Sequence, residues 1–369
     1  MLTNRIKKYT NVEKDECVNI TLGGGVMKVR NVLIGCLVLA FNGICITNDI
    51  EDWTWLYKKH ITSYERGHYR NEIAFSREGV PKFSQLVLSW NAFRPESGHY
   101  SFWAQVRNAH TKRWGSPHKV IEWGNGIQKS YYSKGDLSKG CYVRVELPKK
   151  ELGDGFKIKV KTHNGADYSG LEMLSACISN LRNFAIEKIS RIASLPSVRV
   201  AGVPQSSQML LNHERAAHLC SPTSMSMLVG YLKKEEIDPV AFAAQSYDQG
   251  LDAYGSWPFN TAAAFEQCDG KVNFYVKRLP SFTHLYNYLR QDIPVVVSVR
   301  GRLNGAPKPY NNGHLMVVVG WDGQKNSVIV HDPAVKGDGN IVKEYDAAGF
   351  TRAWASSNNL AYVAQPRFV

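Results

Sequence analysis

Apolar and polar positions alternate with a period close to two through much of the first half of the chain. Phe83-Ser84-Gln85-Leu86-Val87-Leu88-Ser89-Trp90 and Tyr100-Ser101-Phe102-Trp103-Ala104-Gln105-Val106-Arg107 both show it, and residues 141–147 and 156–161 repeat it in shorter form. Side chains of an extended strand project alternately to opposite faces, so this spacing supplies one face for a core and one for water. Gly and Pro separate the runs, as in Pro95-Glu96-Ser97-Gly98 and Gly153-Asp154-Gly155. Short alternating strands with turn residues between them predict an antiparallel β-sandwich over residues 50–195. Trp90, Trp103, Trp114 and Trp123 fall in this region and are expected to pack its interior rather than form a carbohydrate-binding platform.

Beyond the connector Ser194-Leu195-Pro196-Ser197-Val198-Arg199 the pattern changes. Met225, Leu228, Val229 and Leu232 recur at helical spacing, predicting a helix over 221–234, and 259–267 and 281–291 read as helices too. Three nearly continuous apolar runs, 294–299, 315–321 and 327–330, have the length of buried strands. The expected fold class is therefore α+β, with an N-terminal antiparallel β-sandwich followed by an α/β domain over 200–369.

The N-terminal region bears on location. Met27-Lys28-Val29-Arg30-Asn31 is a basic start, residues 32–41 are apolar, and Asn42 onward is small or polar, the tripartite pattern of a secretory signal peptide over 27–48. The apolar run is short for a membrane span, and a short signal-anchor with a cytosolic tail is the plain alternative. Translation is expected to begin at Met27, with 1–26 a spurious upstream extension. Ile44 directly before Cys45 argues against lipidation, which needs a small residue there. The protein is accordingly expected to be secreted, periplasmic or at the cell surface, and to meet a membrane only during export.

Composition narrows the partners. Apolar residues make up 44% of the chain, enough for a substantial core, and Lys plus Arg outnumber Asp plus Glu 45 to 32, a formal +13. The basic residues are scattered, as in Phe156-Lys157-Ile158-Lys159-Val160-Lys161, which reads as a solvated strand face and not as a nucleic-acid stripe. If Cys17, Cys36 and Cys45 leave with the leader, Cys141, Cys177, Cys220 and Cys268 remain. A nucleophilic Cys220 would leave Cys141, Cys177 and Cys268, with room for one disulfide among them. No Cys/His cluster has ligand spacing, so neither a metal nor another cofactor is expected.

The chemistry centres on His218-Leu219-Cys220-Ser221-Pro222-Thr223-Ser224. A thiol at a helix start feels the positive end of the helix dipole and the free amides of the first turn, which favour the thiolate and can hold an oxyanion. A lone cysteine is otherwise a small buried hydrophobe. Downstream, His314 follows Gly313 at the start of a strand, and Asp332 stands at the exit of the next, before Pro333. Strands joined by the Asp322–Asn326 turn would bring imidazole and carboxylate together, letting Asp332 fix the tautomer of a His314 general base. An Asp-Pro turn is the plain alternative, Asp322 the weaker orienter, and His213 and His218 the competing histidines. Gln208 is the candidate side-chain oxyanion donor, with Gln205 behind it. Trp257 and Asn260, in Tyr254-Gly255-Ser256-Trp257-Pro258-Phe259-Asn260, are candidates for lining a substrate cleft, although the same aromatic loop would equally serve as a buttress.

Gln208 with Cys220-Ser221-Pro222-Thr223-Ser224, the Tyr254-to-Asn260 phrase, Gly313-His314-Leu315 and His331-Asp332-Pro333-Ala334 occur in order and resemble the papain-like cysteine peptidases of the bacteriocin-processing, double-glycine-type group. More narrowly they resemble its stand-alone secreted relatives. The resemblance covers roughly 200–365 and implies a papain-like fold with Gln208 in the oxyanion role, Cys220 as nucleophile, His314 as base and Asp332 as orienter. Leu88-Ser89-Trp90-Asn91-Ala92 with Glu122-Trp123-Gly124 is similar, more weakly, to the β-sandwich that often precedes such domains. Ser-Pro replaces the Gly-Pro of many relatives after the cysteine, and the transporter segments of other members are not seen, so leader-peptide export is not implied.

The expected activity is hydrolysis of a peptide or protein amide through an acyl-enzyme. Two alternatives share the sequence: a cell-wall murein-peptide hydrolase or transamidase, and a non-catalytic surface-binding protein that uses its sandwich. Protein collected from the medium of an expressing culture should begin near Asp49 by N-terminal sequencing; a mature chain that retains the apolar run would contradict the leader.

Overall fold

In a computed structural model the described residues are 20–22, 25–27, 53–69, 72–337 and 340–367. Ile20–Leu22 and Gly25–Met27 pair antiparallel as a short hairpin. Residues 28–48, the body of the expected signal peptide, lie outside the described residues. Among the described residues no helix is long and apolar enough to cross a membrane.

Residues 50–369 form one compact unit that mixes helices with antiparallel sheets. A six-stranded sheet runs Thr54–His60, Leu171–Ser179, Gln85–Ala92, Arg144–Glu146, Lys139–Cys141, Tyr132–Lys134 in spatial order. A five-stranded sheet runs Ile73–Phe83, Gly153–His163, His99–Asn108, His118–Gly124, Ile127–Ser130. Their alternating apolar positions meet in one core: Leu86, Leu88 and Trp90 from the first sheet against Phe102, Ile158 and Trp123 from the second. Trp90 stacks on Phe102 with centroids 4.3 Å apart and meets Trp123 edge-on at 5.5 Å, contacts worth about 1 kcal/mol each beyond their burial. Trp103 and Trp114 depart from the expectation of core packing. They are half-buried on the outer face, with the ammonium groups of Lys161 and Lys157 over their rings.

Gln85–Ala92 is buried at every position, polar residues included. The reason is a second core on the other side of its sheet, reached by Val87, Met173 and Cys177. The outward polar residues face the edge strand Val272–Arg278. The Asn91 side chain accepts from Phe274 N at 2.8 Å and donates to Phe274 O at 3.1 Å, while Ser89 Oγ accepts from Val276 N at 3.2 Å. An edge strand carries unpaired amides that must be satisfied if buried. Here the side chains of a neighbouring sheet satisfy them, so a residue that reads as solvent-facing in the sequence is a buried hydrogen-bond partner.

The second core belongs to a sheet in the order Val272–Arg278, Leu360–Pro366, Val295–Gly301, Tyr310–Asp322, Ser327–His331, Val342–Asp346, with Val198–Arg199 paired to Tyr310–Asp322. The apolar runs expected as buried strands are present, and each recorded pairing is antiparallel. The helix Cys220–Lys233 packs on this sheet and is buried from Ser221 to Tyr231, on its polar side as well as its apolar one. Two hydroxyls of that side reach the sheet: Ser221 Oγ pairs with Tyr362 OH at 3.1 Å, and Ser224 Oγ donates to Leu315 O at 3.1 Å. Among the described residues Cys141, Cys177, Cys220 and Cys268 are all free.

Because the six-stranded sheet is shared by both cores, Asn91→Ala should lower stability by about 3 kcal/mol, since both Phe274 backbone groups are stranded in the interior. Denaturant unfolding followed by fluorescence and circular dichroism should remain one transition with a lower midpoint. A second, earlier transition would show that the two halves are energetically independent.

Candidate active site

Cys220 is the first residue of its helix, after Leu219 at φ −92°, ψ 20°. Thr223 N donates to Leu219 O at 3.0 Å, closing the first turn, and Pro222 occupies a first-turn position where a missing N–H costs nothing. The backbone amides of Ser221 and Leu315 help to lower the pKa of the sulfur. Leu315 belongs to the strand Tyr310–Asp322, which carries His314.

A β-bulge sets the position of His314. Val299 pairs with His314 and Gly301 with Tyr310, so four steps on one strand oppose two on the other. Gly313, at φ +89°, takes up the excess in a conformation that favours glycine. A Cβ there would meet nothing nearer than Arg300 Nη2 at 4.0 Å. Backbone conformation, not a close contact, is what requires glycine. The bulge lays the Tyr310 ring against the His314 imidazole, with centroids 4.1 Å apart and planes 16° from parallel.

His314 Nε2 lies 2.7 Å from Asp332 Oδ1 in the interior. Asp332 is wholly buried, and its carboxylate accepts three further hydrogen bonds: Tyr310 OH to Oδ2 at 2.6 Å, Tyr345 OH to Oδ2 at 2.7 Å and Ala334 N to Oδ1 at 3.0 Å. Burial pushes the Asp332 carboxyl up, but His314 and the two phenols outweigh it, and the group titrates below its ordinary range. Burial likewise disfavours the imidazolium, yet hydrogen bonds to Asp332 and Cys220 raise His314 to about 9. The Cys220 thiol is raised by burial and lowered further by the His314 hydrogen bond and charge, for a net shift downward. With Nε2 committed to Asp332, Nδ1 is the nitrogen left for sulfur. The arrangement favours a thiolate–imidazolium pair at neutral pH.

Gln208 is buried in a segment pinned beside the Asp332 loop: Gln208 N donates to Pro333 O at 2.9 Å and Ser207 Oγ to Val335 O at 2.6 Å. Its Nε2 donates to Ala216 O at 3.0 Å, which leaves one N–H over, and its Oε1 is buried with no partner among the described residues. Gln205 is exposed. His213 Nδ1 accepts from Arg215 N, and His218 is exposed at the rim of the cleft. Asp322 accepts from Gln324 N and Lys325 N in its turn, away from His314.

A cleft of about 530 Å³ opens over Cys220, lined among others by Arg144, Tyr254, Trp257, Arg278, Arg300 and Gly313. Trp257 thus stands in the cleft wall, whereas Asn260 does not reach it. Asn260 is wholly buried, and its amide donates to Tyr254 O and Ser256 O, both at 2.9 Å. It shapes the cleft loop from behind, a correction to its expected place in substrate contact. The same loop is tied to the five-stranded sheet by buried Asp248, which accepts from Ser130 N and Oγ and from Ser256 Oγ. Tyr310, Tyr345 and Asp248 escape a reading of the sequence. Tyr310 would be found by extending the His314 strand backward through Gly313 at period two. Tyr345 has no local signal, because it reaches Asp332 from the separate strand Val342–Asp346.

Residues 200–362 match the family described as the Peptidase_C39 like family, which supports a C39-like peptidase domain over this part of the chain. Cys220, His314, Asp332 and Gln208 all fall within the match. No curated protein matches the chain significantly.

A sulfur held below its ordinary pKa is a thiolate above that depressed value, so Cys220 should alkylate with iodoacetamide fast at pH 7 and gain little on raising the pH further. In His314→Ala burial is opposed only by the backbone amides of Ser221 and Leu315, and the rate at pH 7 should fall about tenfold or more, regaining speed only in the alkaline range. Rates at Cys220 mapped by mass spectrometry across pH 5–10 check this.

Proposed function

We propose that the protein is a secreted papain-like cysteine peptidase or amidase, with an N-terminal β-sandwich beside the peptidase domain. The observation that carries the reading is the buried His314–Asp332 contact of 2.7 Å, in a carboxylate held by two phenols, with the imidazole in turn lowering the Cys220 thiol. No structural need explains so much polar machinery in an interior; charge stabilisation at a reacting sulfur does.

In this mechanism the Cys220 thiolate attacks the carbonyl carbon of an amide, forming a C–S bond as the π-electrons move to oxygen. The oxyanion takes hydrogen bonds from first-turn amides and from the remaining Gln208 N–H. Collapse breaks the C–N bond, and His314 gives its proton to the departing amine. Water then adds to the thioester, His314 takes a proton from it, and the thiolate leaves with the carboxylic acid formed. Asp332 holds the ring with its proton on Nε2 throughout and stabilises the imidazolium. The domain match supports peptide or protein substrates.

A mixed peptide library incubated with wild-type protein should yield new termini, and intact-mass spectra should catch an acyl adduct on Cys220. Cys220→Ala should abolish both, and His314→Ala should reduce turnover by at least about a thousandfold. Cleavage that survives Cys220→Ala would overturn the reading.

A further inference from the structure

We propose that the cleft beside Cys220 binds a carboxylate of its substrate, with Arg300 as the direct partner and Arg278, Arg144 and Trp257 shaping the wall around it. This rests on the amide-hydrolase reading and names the class of substrate.

Four arginines and two carboxylates line the cleft: Arg144, Arg215, Arg278 and Arg300 against Glu146 and Asp252. Both carboxylates are already engaged. Asp252 is held by Arg215 at 2.6 Å, and Glu146 by Arg144 at 2.6 Å and Lys139 at 3.1 Å. Arg278 is buried, and its donors go to neutral acceptors, Gln85 Oε1, Ser357 O and Asn358 O. Its charge is therefore not cancelled within the wall. Arg300 is exposed in the cleft, and its guanidinium makes no hydrogen bond or ion pair with any described residue. It is near the chemistry, since its Nη2 lies 4.0 Å from where a Cβ on Gly313 would stand, and Gly313 adjoins His314. Cys220, His314 and Asp332 together carry one negative charge against the two uncancelled charges of Arg278 and Arg300, so the cleft keeps an excess of positive charge that suits an anionic group.

Trp257 gives the wall its shape. The guanidinium groups of Arg144 and Arg278 lie 5.8 Å and 5.9 Å from its ring centroid. Arg144 comes from the six-stranded sheet, so the half of the molecule outside the matched domain supplies part of the substrate surface. A forked guanidinium left bare beside a peptide cleft suits a carboxylate, and in a peptide that is either an acidic side chain or the chain terminus.

The test compares two alkylating agents of nearly equal size. In both, sulfur attacks the CH₂ carbon, the C–S bond forms, the C–I bond breaks and iodide leaves. Iodoacetate carries the carboxylate, and iodoacetamide does not. Relative to the ratio for glutathione, the iodoacetate-to-iodoacetamide rate ratio at Cys220 should be raised, should fall with added salt, and should drop about three- to tenfold in Arg300→Gln while Arg300→Lys keeps most of it. Rapid alkylation by both reagents with the same ratio in wild type and Arg300→Gln would overturn the proposal and leave the thiol chemistry standing; slow alkylation by both would count against the hydrolase reading itself. Two peptide pools then identify the source, one with internal Glu and amidated ends, the other neutral with a free carboxyl terminus. Whichever protects Cys220 from iodoacetamide in wild type, and less in Arg300→Gln, carries the recognised carboxylate. Equal protection in both proteins by both pools would again overturn it.

Discussion

The site depends on one buried anion. Asp332 sits wholly in the interior and is kept ionised by four donors, of which only one is the imidazole. A buried carboxylate without partners would take up a proton and lose its hold on His314. The two phenols prevent this, and they come from different strands, Tyr310 from the histidine's own and Tyr345 from the sheet edge. Assembly of the sheet therefore completes the carboxylate's shell, the carboxylate sets the imidazole, and the imidazole lowers the thiol.

The rest of the fold can be understood as fixing the two bodies that meet at this point. The helix that starts at Cys220 is gripped all round, with Ser221 and Ser224 tied to the sheet, so the sulfur is presented from a rigid element. The six-stranded sheet is packed on both faces and caps an edge strand through Asn91 and Ser89. It also brings Arg144 to the cleft, and the neighbouring five-stranded sheet anchors the cleft loop through Asp248. The N-terminal half is thus part of the cleft's construction.

Much of this was legible in the sequence, for reasons that differ by element. The alternation around residues 83–90 and 100–107 locates strands, because pleated backbone leaves few other ways to bury those side chains. The helix at Cys220 and the strands around 295–299, 315–321 and 327–330 are legible from period and length. The meeting of His314 with Asp332 follows from two strands joined by a short turn. What is hidden is whatever depends on a second layer. Asn91 reads as a solvent-facing residue until a neighbouring edge strand needs its amide. Trp103 reads as core until the sheet turns it outward. Asn260 reads as a cleft residue, and its burial behind the loop has no local mark. Tyr345 and Asp248 act across distances that no periodicity encodes.

The central claim is that the imidazole of His314 is charged at neutral pH because it lies between an anion and a thiolate. Nuclear magnetic resonance of ¹⁵N-histidine-labelled protein reads this directly. His314 should show both ring nitrogens protonated at pH 7.5, titrating toward about 9, and Cys220→Ser should shift that titration downward. A His314 that loses its proton near the ordinary histidine value, with no response to Cys220→Ser, would contradict the account.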